Sequence, residues 1–300
     1  MNIPILILFF NRKDTVERLV ELLSVVQPSS VYLSCDGGRT SQEHRQVISI
    51  RESVQESITW DCEVKTNFSE VNLGCKQAVH AAIQWFFDSV PEGIVLEDDC
   101  IPSVPFFDYV SKMLEKYRDD KSIATIGGRN ELSEFTGGNI TFCSKFFCWG
   151  WASWADRIKE IDVEFGYQKN IPSRILDGAD YLELRHIKGM HQLMVMNQVN
   201  SWAYSYDFVF RANEQIHVVP PFNYIKNIGI NLGTHSGSGT GADIFVASNK
   251  FTSLDSEIDI PIPIKNNNYM RKYLWAKYGL LKLALFPWIG NIKSFKRLFR

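Results

Sequence analysis

Three adjacent carboxylates follow an apolar run in Leu96-Glu97-Asp98-Asp99-Cys100. Side by side they repel one another, so their charge calls for compensation. Hard oxygen ligands suit Mg2+ or Mn2+, and such an ion keeps several waters and bridges substrate phosphates. A solvated acidic turn is the plain alternative, and the buried strand before the triplet and the aromatic stretch after it favour the ion. Asn11-Arg12 offers a guanidinium fork suited to phosphate, or simply a surface arginine that opens a helix. Asp36, in Asp36-Gly37-Gly38, could accept from a base N–H or a ribose hydroxyl, or close an Asp-Gly turn. Neither GxGxxG nor GxxxxGK[ST] occurs in the chain, so the phosphate cradles of dinucleotide dehydrogenases and P-loop enzymes are missing.

These clusters need elements to hold them. Ile3 to Phe10 is a continuous apolar run, as expected of a strand buried on both faces. Asp14 or Thr15 then caps a helix whose apolar positions are Val16, Leu19, Val20, Leu22 and Leu23. Val31 to Cys35 is predicted as a second strand, about 41–55 as a polar helix and Cys62 to Thr66 as a third strand. A helix over Gly74 to Phe87, a strand at Gly93 to Leu96, a helix at Phe106 to Tyr117 and a strand at Ile123 to Gly128 follow. This alternation predicts an α/β, Rossmann-like, mostly parallel sheet. In such sheets ligands bind outside the carboxyl ends of the strands, where Asn11-Arg12, Asp36 and Glu97-Asp98-Asp99 all fall.

Taken together, strand–Asn-Arg, strand–Asp, and strand–Glu-Asp-Asp followed by Pro102 and Phe106-Phe107-Asp108-Tyr109 resemble the GT-A fold of nucleotide-sugar-dependent glycosyltransferases. The Glu-Asp-Asp triplet is similar to that of the N-acetylglucosaminyltransferase I group, where it stands for the usual Asp-x-Asp. Asn72-Leu73-Gly74 before the long helix resembles family 2 transferases. The resemblance spans residues 3–155 and, more loosely, 200–235. It implies Asp99 as a direct ligand of Mn2+ or Mg2+, with Glu97 and Asp98 on the donor's sugar or ribose. Arg12, beside Asn11, would lie near the phosphates, and Asp36 on the base, uracil. Phe146-Phe147-Cys148-Trp149-Gly150-Trp151 resembles the group's aromatic-glycine loop, with Gly150 allowing close approach of the donor sugar and Trp151 or Trp154 stacking. A core of tryptophans is the bland alternative.

Inverting members of that fold use a carboxylate to deprotonate the acceptor hydroxyl. Asp207, an acid among the aromatics of Trp202 to Phe208, matches the group's aromatic–Asp–aromatic pattern, and apolar surroundings would raise its pKa. A helix-opening Asp is the alternative, and Asp156 and Asp162 are weaker rivals. His235, in Asn231-Leu232-Gly233-Thr234-His235, would complete the metal site from a late loop. The implied activity is divalent-metal-dependent transfer of a sugar from a UDP-linked donor to a glycan or glycolipid acceptor. A sugar-1-phosphate nucleotidyltransferase would need a glycine-rich loop after the first strand, and Phe9-Phe10-Asn11-Arg12-Lys13 has none. A non-catalytic glycan-binding protein using the tryptophan-rich segment is the other alternative.

Composition sets the bounds. The chain has 300 residues, a formal charge of −2, 45% hydrophobic and 22% charged residues, which excludes disorder as the whole-chain state. Six cysteines without CxxC spacing read as free thiols of a reducing cytosol. The apolar start lacks a basic front and a small-residue cleavage site, so it is expected to be a strand and not a signal peptide. Residues 271–300 hold eight basic residues and no acidic one, leaving 24 basic against 34 acidic residues in the rest, about −10. That acidic body argues against nucleic acid as a partner. Leucines and aromatics interleave with the basic residues of the tail, which suits an anionic membrane surface and a cytoplasmic, peripheral location, or else a helix packed on the body. The expected organisation is a nucleotide-sugar half at 1–130, an acceptor half at 131–250 and the basic amphipathic segment at 251–300.

Overall fold

The computed structural model describes residues 2–229 and 265–285. Its centre is an eight-stranded sheet. Strands β1 (Ile5–Phe9), β2 (Ser30–Cys35), β3 (Glu63–Phe68) and β4 (Glu92–Glu97) alternate with helices α1 (Lys13–Val26), α2 (Ser41–Ser57) and α3 (Cys75–Ser89). After the short strand β5 (Cys100–Pro102) come α4 (Val104–Tyr117) and β6 (Ile123–Gly127). The second half supplies α5 (Ser133–Thr136), β7 (Thr141–Cys143), β8 (Trp151–Trp154) and α6 (Ala155–Ile158). It continues with α7 (Tyr181–Val195), α8 (Trp202–Ala212), β9 (Ile216–Val219), β10 (Ile225–Asn227) and α9 (Asn267–Leu285).

The strand order is β3-β2-β1-β4-β8-β6-β9-β7. Neighbours are parallel from β3 through β4 and at β6–β9, and antiparallel where β8 lies between β4 and β6 and where β7 meets β9. The mixed α/β, mostly parallel sheet is therefore as expected. The halves at 1–130 and 131–250 share this sheet, because β7, β8 and β9 complete it.

Strand parity explains the near-continuous apolar runs. On one face Ile5, Ile7 and Phe9 pack with Val31, Leu33, Ile94 and Leu96 under α1, α2 and α4. On the other, Leu6, Leu8, Tyr32 and Val95 pack with Ala82, Ile83 and Phe86 of α3 and Tyr206 and Phe210 of α8. Each fully buried aliphatic side chain contributes roughly 1.5–3 kcal/mol, so two covered faces anchor β1 and β4 firmly. β3 is one of the two edge strands, with β7 at the other edge, and is largely exposed. It extends to Phe68, beyond the expected Thr66.

The start of α1 differs from expectation. Arg12 occupies the N-cap position without a side-chain cap bond. Thr15 donates its hydroxyl to the Arg12 carbonyl and to Asp98 instead. Of the two readings of the basic tail, the described turns follow the packed helix. Tyr269, Met270, Tyr273 and Leu274 of α9 are buried against Ile187, Met190 and Met194 of α7 and Phe208 of α8. These turns pack on the body, and Gly279 interrupts the helix with φ of 68°. The rest of the proposed membrane segment, 286–300, lies outside the described residues. Among the described residues no helix is long and apolar enough to cross a membrane.

Candidate active site

β1, β2 and β4 run in parallel, so their carboxyl ends bring Asn11-Arg12, Asp36 and the acidic triplet to one edge of the sheet. There the Arg12 guanidinium forks across two carboxylates, with Nη2 to Asp98 Oδ1 at 2.5 Å and Nη1 to Asp99 Oδ2 at 3.0 Å. Asp98 is buried and its second oxygen accepts from Thr15 Oγ1 at 3.1 Å. Asp99 Oδ1 accepts from Asn227 Nδ2 at 3.2 Å. Ile228 N donates to the Asp99 carbonyl, and Gly229 N to Asn227 Oδ1. The antiparallel pairing of β10 with β5 brings this segment over the triplet. A Cβ at Gly229 would run into the Asp99 carboxylate and the Arg12 guanidinium.

Charge crowding shows in the protonation of the triplet. Burial, then Asp99 and Asp98, push Glu97 up to about 8 against the pull of Arg12. Burial pushes Asp98 up to about 6, with Asp99 adding to it and Arg12 opposing. Burial lowers the Arg12 pKa, but Asp98 and Asp99 reverse this and raise it. Part of the compensation expected from a metal is thus supplied by the chain itself. Among the described residues no group of three His, Cys, Asp or Glu side chains forms a metal cage. The oxygens at the edge are hard donors, and an ion held by one or two carboxylates plus substrate phosphates needs no such cage.

Several candidate residues have other work. Asp36 Oδ1 accepts from Gly37 N and Leu73 N, and Oδ2 accepts from Asn72 Nδ2 and Gly74 N. These four donors fill the acceptor positions of a carboxylate. Asp36 therefore clamps the loop that enters α3 and is no free acceptor for a base. Asn11 donates Nδ2 to Glu43 Oε1 at 2.7 Å and so ties the end of β1 to α2.

The aromatic-glycine loop is also built differently from the expectation. Trp151 is fully buried, stacked on Phe87 and Trp202, and offers no face to a sugar. Trp154 is buried as well, under the Arg157 guanidinium. Gly150 has φ of 63°, and a Cβ there would strike Ile225 of β10, so its close approach is to the protein's own strand. The partly exposed tryptophan of the loop is Trp149, with Arg129 at 4.3 Å over its ring.

Asp207 lies in α8 and is 1% exposed. Its Oδ1 accepts from Phe146 N at 2.7 Å, and its Oδ2 pairs with Lys145 Nζ at 3.3 Å and Arg211 Nε at 3.5 Å. Burial alone would raise its pKa, but Lys145, Arg211 and the Phe146 amide more than reverse this and lower it. A saturated, buried, strongly ionised carboxylate is a poor general base, so the expected role is not supported. His235 lies outside the described residues.

Sequence reasoning missed Asn227, Gly229 and Thr15 as partners of the acidic pair. Only the offset of Thr15 by three residues from Arg12 was readable; Asn227 meets Asp99 across 128 residues.

No family model matches the chain, and no curated protein matches it. Solved structures show distant likeness. The mannosyltransferase PcManGT from Pyrobaculum calidifontis, in complex with GDP-Man and Mn2+, is 9% identical, with 71% of this chain and 70% of that chain covered at a TM-score of 0.39. Mouse xyloside xylosyltransferase 1 in its apo form is 11% identical over 88% of this chain and 100% of that chain, at a TM-score of 0.39. A UDP-glucose pyrophosphorylase complexed with UDP-glucose is 9% identical over 73% of this chain and 91% of that one, at 0.37. Likeness of this degree gives no residue a role.

Proposed function

We propose that the chain is a GT-A glycosyltransferase that moves a sugar from a UDP-linked donor to a hydroxyl of a glycan acceptor, with a divalent ion and with inversion. The acceptor would be lipid-linked and met at the cytoplasmic face of a membrane. One observation carries the reading: a guanidinium fork and three carboxylates converge at the carboxyl ends of β1 and β4. Glu97, pushed up to about 8, is mostly protonated near neutral pH, but two aspartates against one arginine still leave an excess negative charge that repels a bare diphosphate. A diphosphate that arrives with Mn2+ or Mg2+ is close to neutral and enters without that penalty. Asp99, at the rim, with Glu97 beside it, would hold the ion, while Asp98 orients Arg12 toward the phosphates. When bound, the ion stabilises charge on the departing diphosphate. Asp207 is not offered as the base.

A thermal-shift panel of nucleotide sugars with and without Mn2+ tests this. UDP-sugar plus Mn2+ at about 100 times Kd should raise Tm by on the order of 5 °C, and Asp99→Ala should lose the Mn2+-dependent part. No shift with any nucleotide sugar, or a full shift in Asp99→Ala, would sink the proposal. Pyrophosphate release from UTP and a sugar 1-phosphate would replace it with nucleotidyl transfer.

A further inference from the structure

Helix α9 packs with one side only. Tyr269, Met270, Tyr273 and Leu274 are buried, whereas Asn268, Arg271, Lys272 and Trp275 are exposed. The exposed four recur at helical spacings of three and four residues, so they form one stripe that faces away from the body. Trp275 is 55% exposed, and among the described residues no other tryptophan is exposed.

Two neighbours widen the stripe. Lys272 Nζ stands 3.6 Å from the centre of the Phe135 ring, and Phe135 of α5 is 38% exposed. Arg271 Nε pairs with Asp180 at 3.5 Å, which brings in the next residue, Tyr181, at 65% exposed. Arg185 lies 5.3 Å over the Tyr181 ring. Three exposed aromatics and three cations therefore share one surface, formed by α5, the start of α7 and the first turns of α9. Its acids are Asp180, spent on Arg271, and Glu134, exposed next to Phe135 in sequence.

Aromatic rings flanked by lysine and arginine suit the boundary between lipid headgroups and acyl chains, where the ring leaves water and the cation stays in it. A protein partner could also cover the rings, and charge decides between the two. Residues 271–300 hold eight basic residues and no acidic one, a bias that complements an anionic lipid surface. The position fits as well. Asn266 N donates to the Phe142 carbonyl of β7, and Tyr269 donates its hydroxyl to Asn130 Oδ1 at 3.1 Å. Asn130 follows the carboxyl end of β6, which runs parallel to β4 because both are antiparallel to β8 between them. The helix thus starts at the sheet edge that carries the acidic triplet.

We propose that Arg271, Lys272 and Trp275, with Phe135 and Tyr181 beside them, dock the protein on an anionic lipid surface. That docking presents the site to a lipid-linked acceptor rests on the glycosyltransferase reading; the docking itself does not. Co-sedimentation of the full chain with vesicles of mixed phosphatidylglycerol and phosphatidylcholine, and with vesicles of phosphatidylcholine alone, tests it. The anionic vesicles should bind at least about tenfold more tightly. Trp275→Ala should weaken that binding about tenfold and Lys272→Gln about fivefold. Both side chains are exposed, so urea midpoints should stay close to the unsubstituted value. Glu134→Gln removes a repelling charge and should strengthen binding about two- to fivefold, a gain that loss of folding cannot mimic. No binding to anionic vesicles, equal binding to both kinds, or anionic binding unaffected in both Trp275→Ala and Lys272→Gln overturns the surface. Self-association that is lost in Trp275→Ala, without vesicle binding, also overturns it and puts a second copy of the chain on the stripe. The thermal shift with UDP-sugar and Mn2+ is read on the same samples. A nucleotide shift without vesicle binding overturns the docking surface and leaves the transferase reading standing. Vesicle binding without a nucleotide shift does the reverse.

Discussion

The edge around Arg12 and the interior around Asp207 use the same residue types to opposite effect. Both bury an aspartate against an arginine and a second polar group. At the edge one guanidinium faces three carboxylates, and Glu97 and Asp98 are pushed up to about 8 and about 6. In the interior Asp207 faces Lys145 and Arg211, and its pKa is lowered. The ratio of cations to carboxylates decides the sign, because burial raises a carboxylate's pKa in both places. One region is therefore short of positive charge and the other of negative charge.

Truncating an acid in each region is the strongest way to break this contrast. Asp207→Ala strands Lys145, leaves Arg211 with Glu183 alone and removes the acceptor of the Phe146 amide, and should destabilise the protein by about 3–5 kcal/mol in urea denaturation. Asp99→Ala relieves repulsion as it loses the Arg12 contact, and should change stability by about 1 kcal/mol or less. Equal losses would refute the contrast. The next largest effect concerns pH. Burial, Arg211 and Lys145 push the His217 pKa down from 6.5 to about 3, against Asp207. The unfolded chain then binds a proton that the folded one does not, so His217 contributes stability that is complete above pH 6.5 and is lost as pH falls toward 3. Over that window the slope from this group is up to about 1.4 kcal/mol per pH unit, and His217→Asn should reduce it. An unaltered pH–stability profile in the variant would remove His217 from the account. The smallest effect sharpens the edge. Thr15→Val leaves Asp98 without its hydroxyl donor and should cost about 1 kcal/mol, with Arg12 still in place; a neutral result would make the Thr15 bond incidental.

The parallel strands, the helices between them and the polar clusters at their carboxyl ends were legible in the sequence. Apolar runs such as Ile5–Phe9 and capped amphipathic helices are local patterns, and strand ends follow from them directly. Asp207 was misread although Arg211, one of its partners, stands four residues away on the same helix. The other partner, Lys145, comes from a distant loop, and the two cations together reversed the expected shift. Trp151 was expected to offer a stacking face and instead lies in the core, because the start of β8 decides which ring is buried, and that boundary is set by pairing with Val95 and Gly127. Asp36 stood at the right edge, but the backbone amides of Leu73 and Gly74 that fill it arrive only when β3 pairs beside β2.

By itself the sequence determined where hydrophobic periodicity ends and charge begins, and hence that an arginine and an acidic triplet would share one edge of a sheet. Only the tertiary structure decided which charged groups neutralise one another. Periodicity acts over a few residues along the chain, whereas an ion pair depends on distance in space. Arg12 and Asp99 are 87 residues apart in sequence and 3.0 Å apart in the fold.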